Sequence, residues 1–139
     1  MTFEPENDAT AFHDFEHAED AYRRGLALEP NHYEANLGLA LAERGRIGLL
    51  NRDEQIHLVK EQLSRCRMLE PERPETEFNE AVLIDEYEAW SGGDRGIAAA
   101  WRAVQLFDEF IEKTAAEPEY AEASKVARRR SSSLRTLLR

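Results

Sequence analysis

An all-α chain of about six antiparallel helices is what the sequence predicts, and three observations predict it. Leu28-Glu29-Pro30 comes back as Leu69-Glu70-Pro71, and a weaker copy ends at Glu117-Pro118. The copies stand 41 and 47 residues apart, and each closes an amphipathic stretch. Repeated helix ends at such spacings point to helix-turn-helix hairpins stacked as a superhelical array. No segment alternates with period two for long enough to form a strand.

Residues 1–9 are polar, contain Pro5 and show no period, which reads as a disordered tail ahead of a single domain over 10–139. The first helix is predicted over about 10–29, with Phe12, Phe15, Ala18, Tyr22 and Leu26 as its apolar stripe. His13, His17, Asp20 and Arg24 form its polar stripe. Pro30 stops it, lacking an N–H and disfavouring a helical residue before it. Asn31 with Glu34 makes a capping-box pattern for a second helix over 32–45, where Tyr33, Asn36, Leu37, Ala40 and Leu41 share a face. Gly38 on that face admits a close neighbour, and Gly45 and Gly48 suit a stop and a loop.

Asn51 with Glu54 repeats the cap ahead of a helix over 52–69, whose stripe is Ile56, Val59, Leu63 and Cys66. After Pro71 and Pro74 comes a helix over 75–91 with a wide apolar face reaching Trp90. Gly92-Gly93 breaks it, and Asp94 is placed to cap a helix over 94–116 carrying Ile97, Ala100, Trp101, Val104, Phe107 and Phe110. A last helix over 118–138 has a thin stripe. Its acids at the start and arginines toward the end match the helix dipole.

The chain has 139 residues, 42% hydrophobic and 33% charged, enough for a core under a charged surface. No apolar run approaches the roughly 20 residues of a membrane-spanning helix. Residues 1–20 lack the basic start of a secretory signal, and lone Cys66 forms no internal disulfide, so the cytoplasm is the expected location. A net charge of −10 disfavours nucleic acid for the chain as a whole. The charge is uneven. Residues 1–20 hold seven acids and no Lys or Arg, whereas residues 123–139 hold six bases and no acid.

Ala18, Tyr22 and the Pro30 stop, followed by Leu37, Gly38, Leu41 and Gly45, carry a family likeness: residues 18–45 resemble a tetratricopeptide repeat. A second copy, Val59, Leu63, Cys66 and Pro71, keeps positions and sizes but not identities, and a third runs from Ala98 to Pro118. The turn after Pro30 is shorter than the family's, the stretch from Gly45 to Pro71 is longer, and the first repeat lacks its first helix. The resemblance implies a non-catalytic scaffold of about two and a half hairpins that binds a protein or peptide on a groove or at its ends. The lysine and asparagine pattern of the carboxylate-clamp subgroup is not visible.

The missing helix leaves Phe12, Phe15 and Tyr22 under-covered, which makes them candidate partner contacts together with Tyr33 and Asn36, with self-pairing through this helix as one outcome. His13-Asp14-Phe15-Glu16-His17 spells H-x-x-E-H, the zinc-peptidase motif in which two His bind the metal and the Glu activates water. Such enzymes need a third ligand and a larger, sheet-containing body. No cofactor and no enzymatic activity are therefore expected, with a zinc-dependent hydrolase at His13 and His17 as the alternative. Cys66 reads as a small packing residue. Arg128-Arg129-Arg130-Ser131-Ser132-Ser133 offers an anion or nucleic-acid contact, or a kinase site, against the simpler reading of a frayed helix end paired with acids. No aromatic is interleaved to stack on bases.

Overall fold

The computed structural model describes the backbone of residues 5–139 and the side chains from His13 onward. Residues 1–4 of the expected tail and the Phe12 side chain lie outside the described residues. Six α-helices follow one another: α1 (Pro5–Leu28), α2 (Tyr33–Gly45), α3 (Arg52–Leu69), α4 (Pro74–Tyr87), α5 (Gly93–Thr114) and α6 (Ala121–Thr136), the last entered through a 3-10 turn at Pro118–Tyr120. There is no strand among the described residues. They divide into two compact units, Met1–Pro71 and Glu72–Arg139, a division the repeat pattern did not reveal.

Several boundaries differ from expectation for local reasons. The first helix begins at Pro5, not Thr10. Proline is tolerated at the first helical position, where its missing N–H is not needed, and Glu6 and Asp8 suit a helix start. His32, not Asn31, caps α2: its Nδ1 accepts from the Ala35 N–H at 3.1 Å. Asn51 makes no side-chain cap. It ties the loop instead, accepting from Gly48 N–H at 2.7 Å and donating to the Arg46 carbonyl at 3.0 Å. Asp94 lies inside the first turn of α5, and the N-cap is Gly92, at φ 83 with Gly93 at φ 66, in the left-handed region that suits glycine.

In the N-terminal unit α2 packs between α1 and α3. Its two contacts show the same arithmetic. Tyr22 lies on Gly38 and Phe15 on Gly45, so one helix steps back seven residues as the other advances seven. Toward α3, Gln62 donates to Asn36 and Gln55 to the Glu43 carbonyl, again seven against seven. That is the register of antiparallel helices two turns apart. Ile56, Val59, Leu63 and Cys66 are buried as the stripe of α3 predicts. Burial pushes the Cys66 thiol up to about 11, which leaves it protonated and unreactive at neutral pH. Gly25, its counterpart in the repeated phrase, is exposed, and a Cβ there would meet nothing within 4 Å.

Asn36 is the buried hub of this unit. Its amide donates to the Pro30 carbonyl at 3.1 Å and the His32 carbonyl at 2.7 Å, and its Oδ1 accepts from Gln62 at 2.6 Å. These bonds hold the turn after Pro30 against α2 and α3 together. Asn36→Ala removes three part-buried hydrogen bonds, though the His32 carbonyl keeps the Asn36 backbone N–H, and is expected to cost about 2–3 kcal/mol, read as a lower urea midpoint.

In the C-terminal unit α5 packs against both α4 and α6. Ala81, Ala100, Ala103, Val104, Phe107, Phe110, Ala127 and Leu134 fill its core. Phe78 and Tyr120 meet the Phe110 ring at 5.0 and 5.9 Å between centroids. Tyr120 accompanies Glu75, and Arg130 accompanies Asp85 and Glu86, so α6 runs parallel to α4. The aromatics Trp90 and Trp101 do not enter the core: they are 53% and 49% exposed, with Ile97 beside them on α5. The buried stripe of α5 is centred on Ala100, Ala103 and Phe107, which leaves Ile97 and Trp101 on its flank. Trp90 falls past the end of α4, where its indole N–H donates to Asp85 at 2.7 Å.

Candidate interaction surface

The predicted contact residues separate into two groups. Phe15 and Tyr22 lie at the edge of the α1–α2 seam, 40% and 37% exposed: α2 lies under one side of each ring, and nothing among the described residues of this unit covers the other. Tyr33 and Asn36, expected with them, lie in the core: α2 is sandwiched, so both of its faces are occupied. Those two residues hold the unit together and present no contact surface.

Two glycines seat the aromatic rings. A Cβ built at Gly38 would stand 2.3 Å from Cζ of Tyr22, and one at Gly45 would stand 2.4 Å from Cγ of Phe15. The rings therefore lie directly on the α2 backbone, with their outer faces open to solvent.

Between the rings lies a charged cluster. Arg46 donates to Glu19 at 2.5 Å and Arg23 to the same carboxylate at 3.1 Å. Burial alone would raise the Glu19 pKa, but the hydrogen bonds from Arg46 and then Arg23 outweigh it and hold the carboxyl below its usual value. Glu43 behaves in the opposite way. It is 3% exposed, its Oε2 is 3.7 Å from Arg23, and its Oε1 has no partner. Burial pushes it up to about 7, against the pull of Arg23 and with the repulsion of Glu19 and Glu61. Glu16, His17, Glu19, Asp20, Arg23 and Arg46 line a cleft of about 280 Å³ on this flank.

His13 and His17 sit on the exposed stripe of α1, as expected, with ring centroids 4.2 Å apart. Among the described residues no group of three or more His, Cys, Asp or Glu could hold a metal ion.

The arginine-rich segment is ordered helix within α6 rather than a frayed end. Arg130 binds Asp85 at 3.0 Å and Glu86 at 3.3 Å, and Arg135 binds Asp108. Ser131 is buried and its hydroxyl lies 3.1 Å from Asp108, so a kinase would find neither an accessible hydroxyl nor room for a phosphate there. Arg128 and Arg129 face outward and form no ion pair among the described residues. The sequence pattern did not separate these two from Arg130. The helical period places Arg130 one position round toward α4.

No helix among the described residues is long and apolar enough to cross a membrane. No family model, curated protein or solved structure matches this chain.

Proposed function

We propose that this chain is a non-catalytic protein-interaction module of the helical-repeat type, similar to tetratricopeptide repeats, and that its contact surface is the exposed edge of the α1–α2 seam at Phe15 and Tyr22. The observation that carries the reading is the half-exposure of Phe15 and Tyr22, two rings held on glycines and rimmed by charge. A rigid, partly desolvated aromatic pair with a polar rim is the usual composition of an interaction hot spot. The seating of Tyr22 on Gly38 also supports the likeness to the repeat family, in which an aromatic fills the gap left by a small residue of the next helix.

The test is affinity capture from the source cell with the wild-type chain and with Phe15→Ala/Tyr22→Ala, helicity being matched first by circular dichroism. A protein retained by the wild type and lost by the variant supports the surface. Equal retention overturns it. The zinc-hydrolase alternative is separated by metal analysis of the purified chain against His13→Ala/His17→Ala. Tight stoichiometric zinc with peptidase activity would replace the scaffold reading.

A further inference from the structure

Both tryptophans of this chain stand half open on the C-terminal unit. Trp90 is held in place all the same. Its indole N–H donates to one oxygen of the buried Asp85 carboxylate at 2.7 Å, and Arg130 of α6 donates to the other at 3.0 Å. The nitrogen is the one polar atom of the indole, so what Trp90 leaves to solvent is ring carbon. Trp90, Ile97 and Leu137 line a recess of about 190 Å³, where the turn between α4 and α5 meets the end of α6. Gly96 brings turn and helix together: a Cβ there would stand 3.2 Å from the Ala89 carbonyl oxygen. Gly92 and Gly93, which also line the recess, leave it clear, since a Cβ at either would meet nothing within 4 Å. Trp101 follows Ile97 by one turn of α5 and extends the apolar surface.

We propose that this recess binds a short peptide segment through one large aliphatic or aromatic side chain. Two magnitudes choose this occupant. Aromatic side chains offer about 150–250 Å² each, so two half-open indoles with parts of Ile97 and Leu137 give roughly 300 Å² of open apolar surface. A second folded copy of the chain needs about 800 Å² on each side, so this patch is too small to hold one. The recess is also smaller than the roughly 300 Å³ at which sites for small-molecule ligands begin. It has room for one side chain and not for a cofactor. A peptide meets both limits: it places one side chain in the recess and lays its backbone across Gly92 and Gly93. A ring already fixed by Asp85 gives up little freedom on contact, which suits it as an anchor. The recess belongs to the other unit from Phe15 and Tyr22 and is independent of them.

The experiment is selection of a phage-displayed library of random seven-residue peptides on the full chain, followed by titration of the selected peptides against tryptophan emission. Both tryptophans lie at the site, so binding there shifts the emission to the blue. The selected peptides are expected to share one large apolar residue and to bind with a Kd on the order of 10 μM. Ile97→Asp and Leu137→Asp should each weaken binding about tenfold or more at wild-type helicity. The two positions fall on α5 and at the end of α6, so a variant that loses helicity leaves the other to decide. Phe15→Ala/Tyr22→Ala should bind the same peptides as the wild type does. A selection with no shared apolar residue overturns the proposal, as does wild-type affinity in a folded recess variant or lost binding in the Phe15/Tyr22 variant. A blue shift of the protein alone at rising concentration, with a dimer in sedimentation, assigns the patch to a second copy and overturns it too. So does a blue shift on phosphatidylcholine vesicles with no effect of any selected peptide.

Discussion

Gly45→Ala is expected to lower the stability of the N-terminal unit by up to about 2 kcal/mol, although alanine is the better helix former by about 1 kcal/mol. The new methyl would sit 2.4 Å from Cγ of Phe15 and 2.5 Å from both Cδ atoms. Those atoms are at the root of the ring, so turning the ring about χ2 does not clear them, and Phe15 must change χ1 and leave its seat on α2. Overpacking of this kind costs about 1–3 kcal/mol, which exceeds the propensity gain. Gly38→Ala should cost less, because the atoms it meets are Cζ, Cε1 and the hydroxyl at the far end of Tyr22. The check is a double-mutant cycle by urea unfolding. In a Phe15→Ala background, Gly45→Ala should become stabilising, and a Gly45→Ala that stabilises the wild type would refute the seating.

Glu43→Gln is expected to stabilise the protein at pH 8 and to have little effect near pH 5. The folded carboxyl titrates at about 7, against 4.5 for an unperturbed glutamate. Between those values the folded state binds more proton than the unfolded state, so stability falls as pH rises. The loss is complete above about pH 7 and amounts to up to about 3 kcal/mol. Glu19 and Glu75 act with the opposite sign. Burial would raise both, but Arg46 and Arg23 on one, and Arg73 and Tyr120 on the other, hold them low. Their contributions are present at neutral pH and are lost as acid protonates them. The wild type should therefore be most stable on the acid side of neutrality, near pH 5, while the Gln variant stays level up to pH 8. Parallel curves for the two proteins from pH 5 to pH 8 would show that Glu43 does not titrate as the geometry requires.

The fold class, the helix order and the stripe of α3 were legible because they depend on period and punctuation, which are written locally. Cys66 and Val59 could be placed by counting residues alone. Trp90 and Trp101 could not, since an apolar side chain at a helix end or on a stripe's flank has the same letter whether it is covered or bare. The same limit hid Glu43 and Asn36. A polar residue becomes buried because helices close over it from two sides, and that is decided by residues 20 or more positions away, such as Arg23 and Gln62. His32 was passed over for a different reason: Asn31 has the stronger capping preference, but the tight turn after Pro30 presents the next residue to the free N–H of Ala35. In the candidate surface, Phe15 and Tyr22 were anticipated from a missing neighbour, whereas the glycine seats needed the register of α1 on α2.

Within each unit the main packing partners are helices consecutive in the chain. That locality has a consequence for synthesis. Every helix the N-terminal unit needs has been made by Pro71, with 68 residues still to follow. At about 5–20 residues per second, translating them takes seconds. Helical units rich in local contacts fold in microseconds to milliseconds. The first unit is therefore mature, with Phe15 and Tyr22 half-exposed on it, while the ribosome is still adding the second.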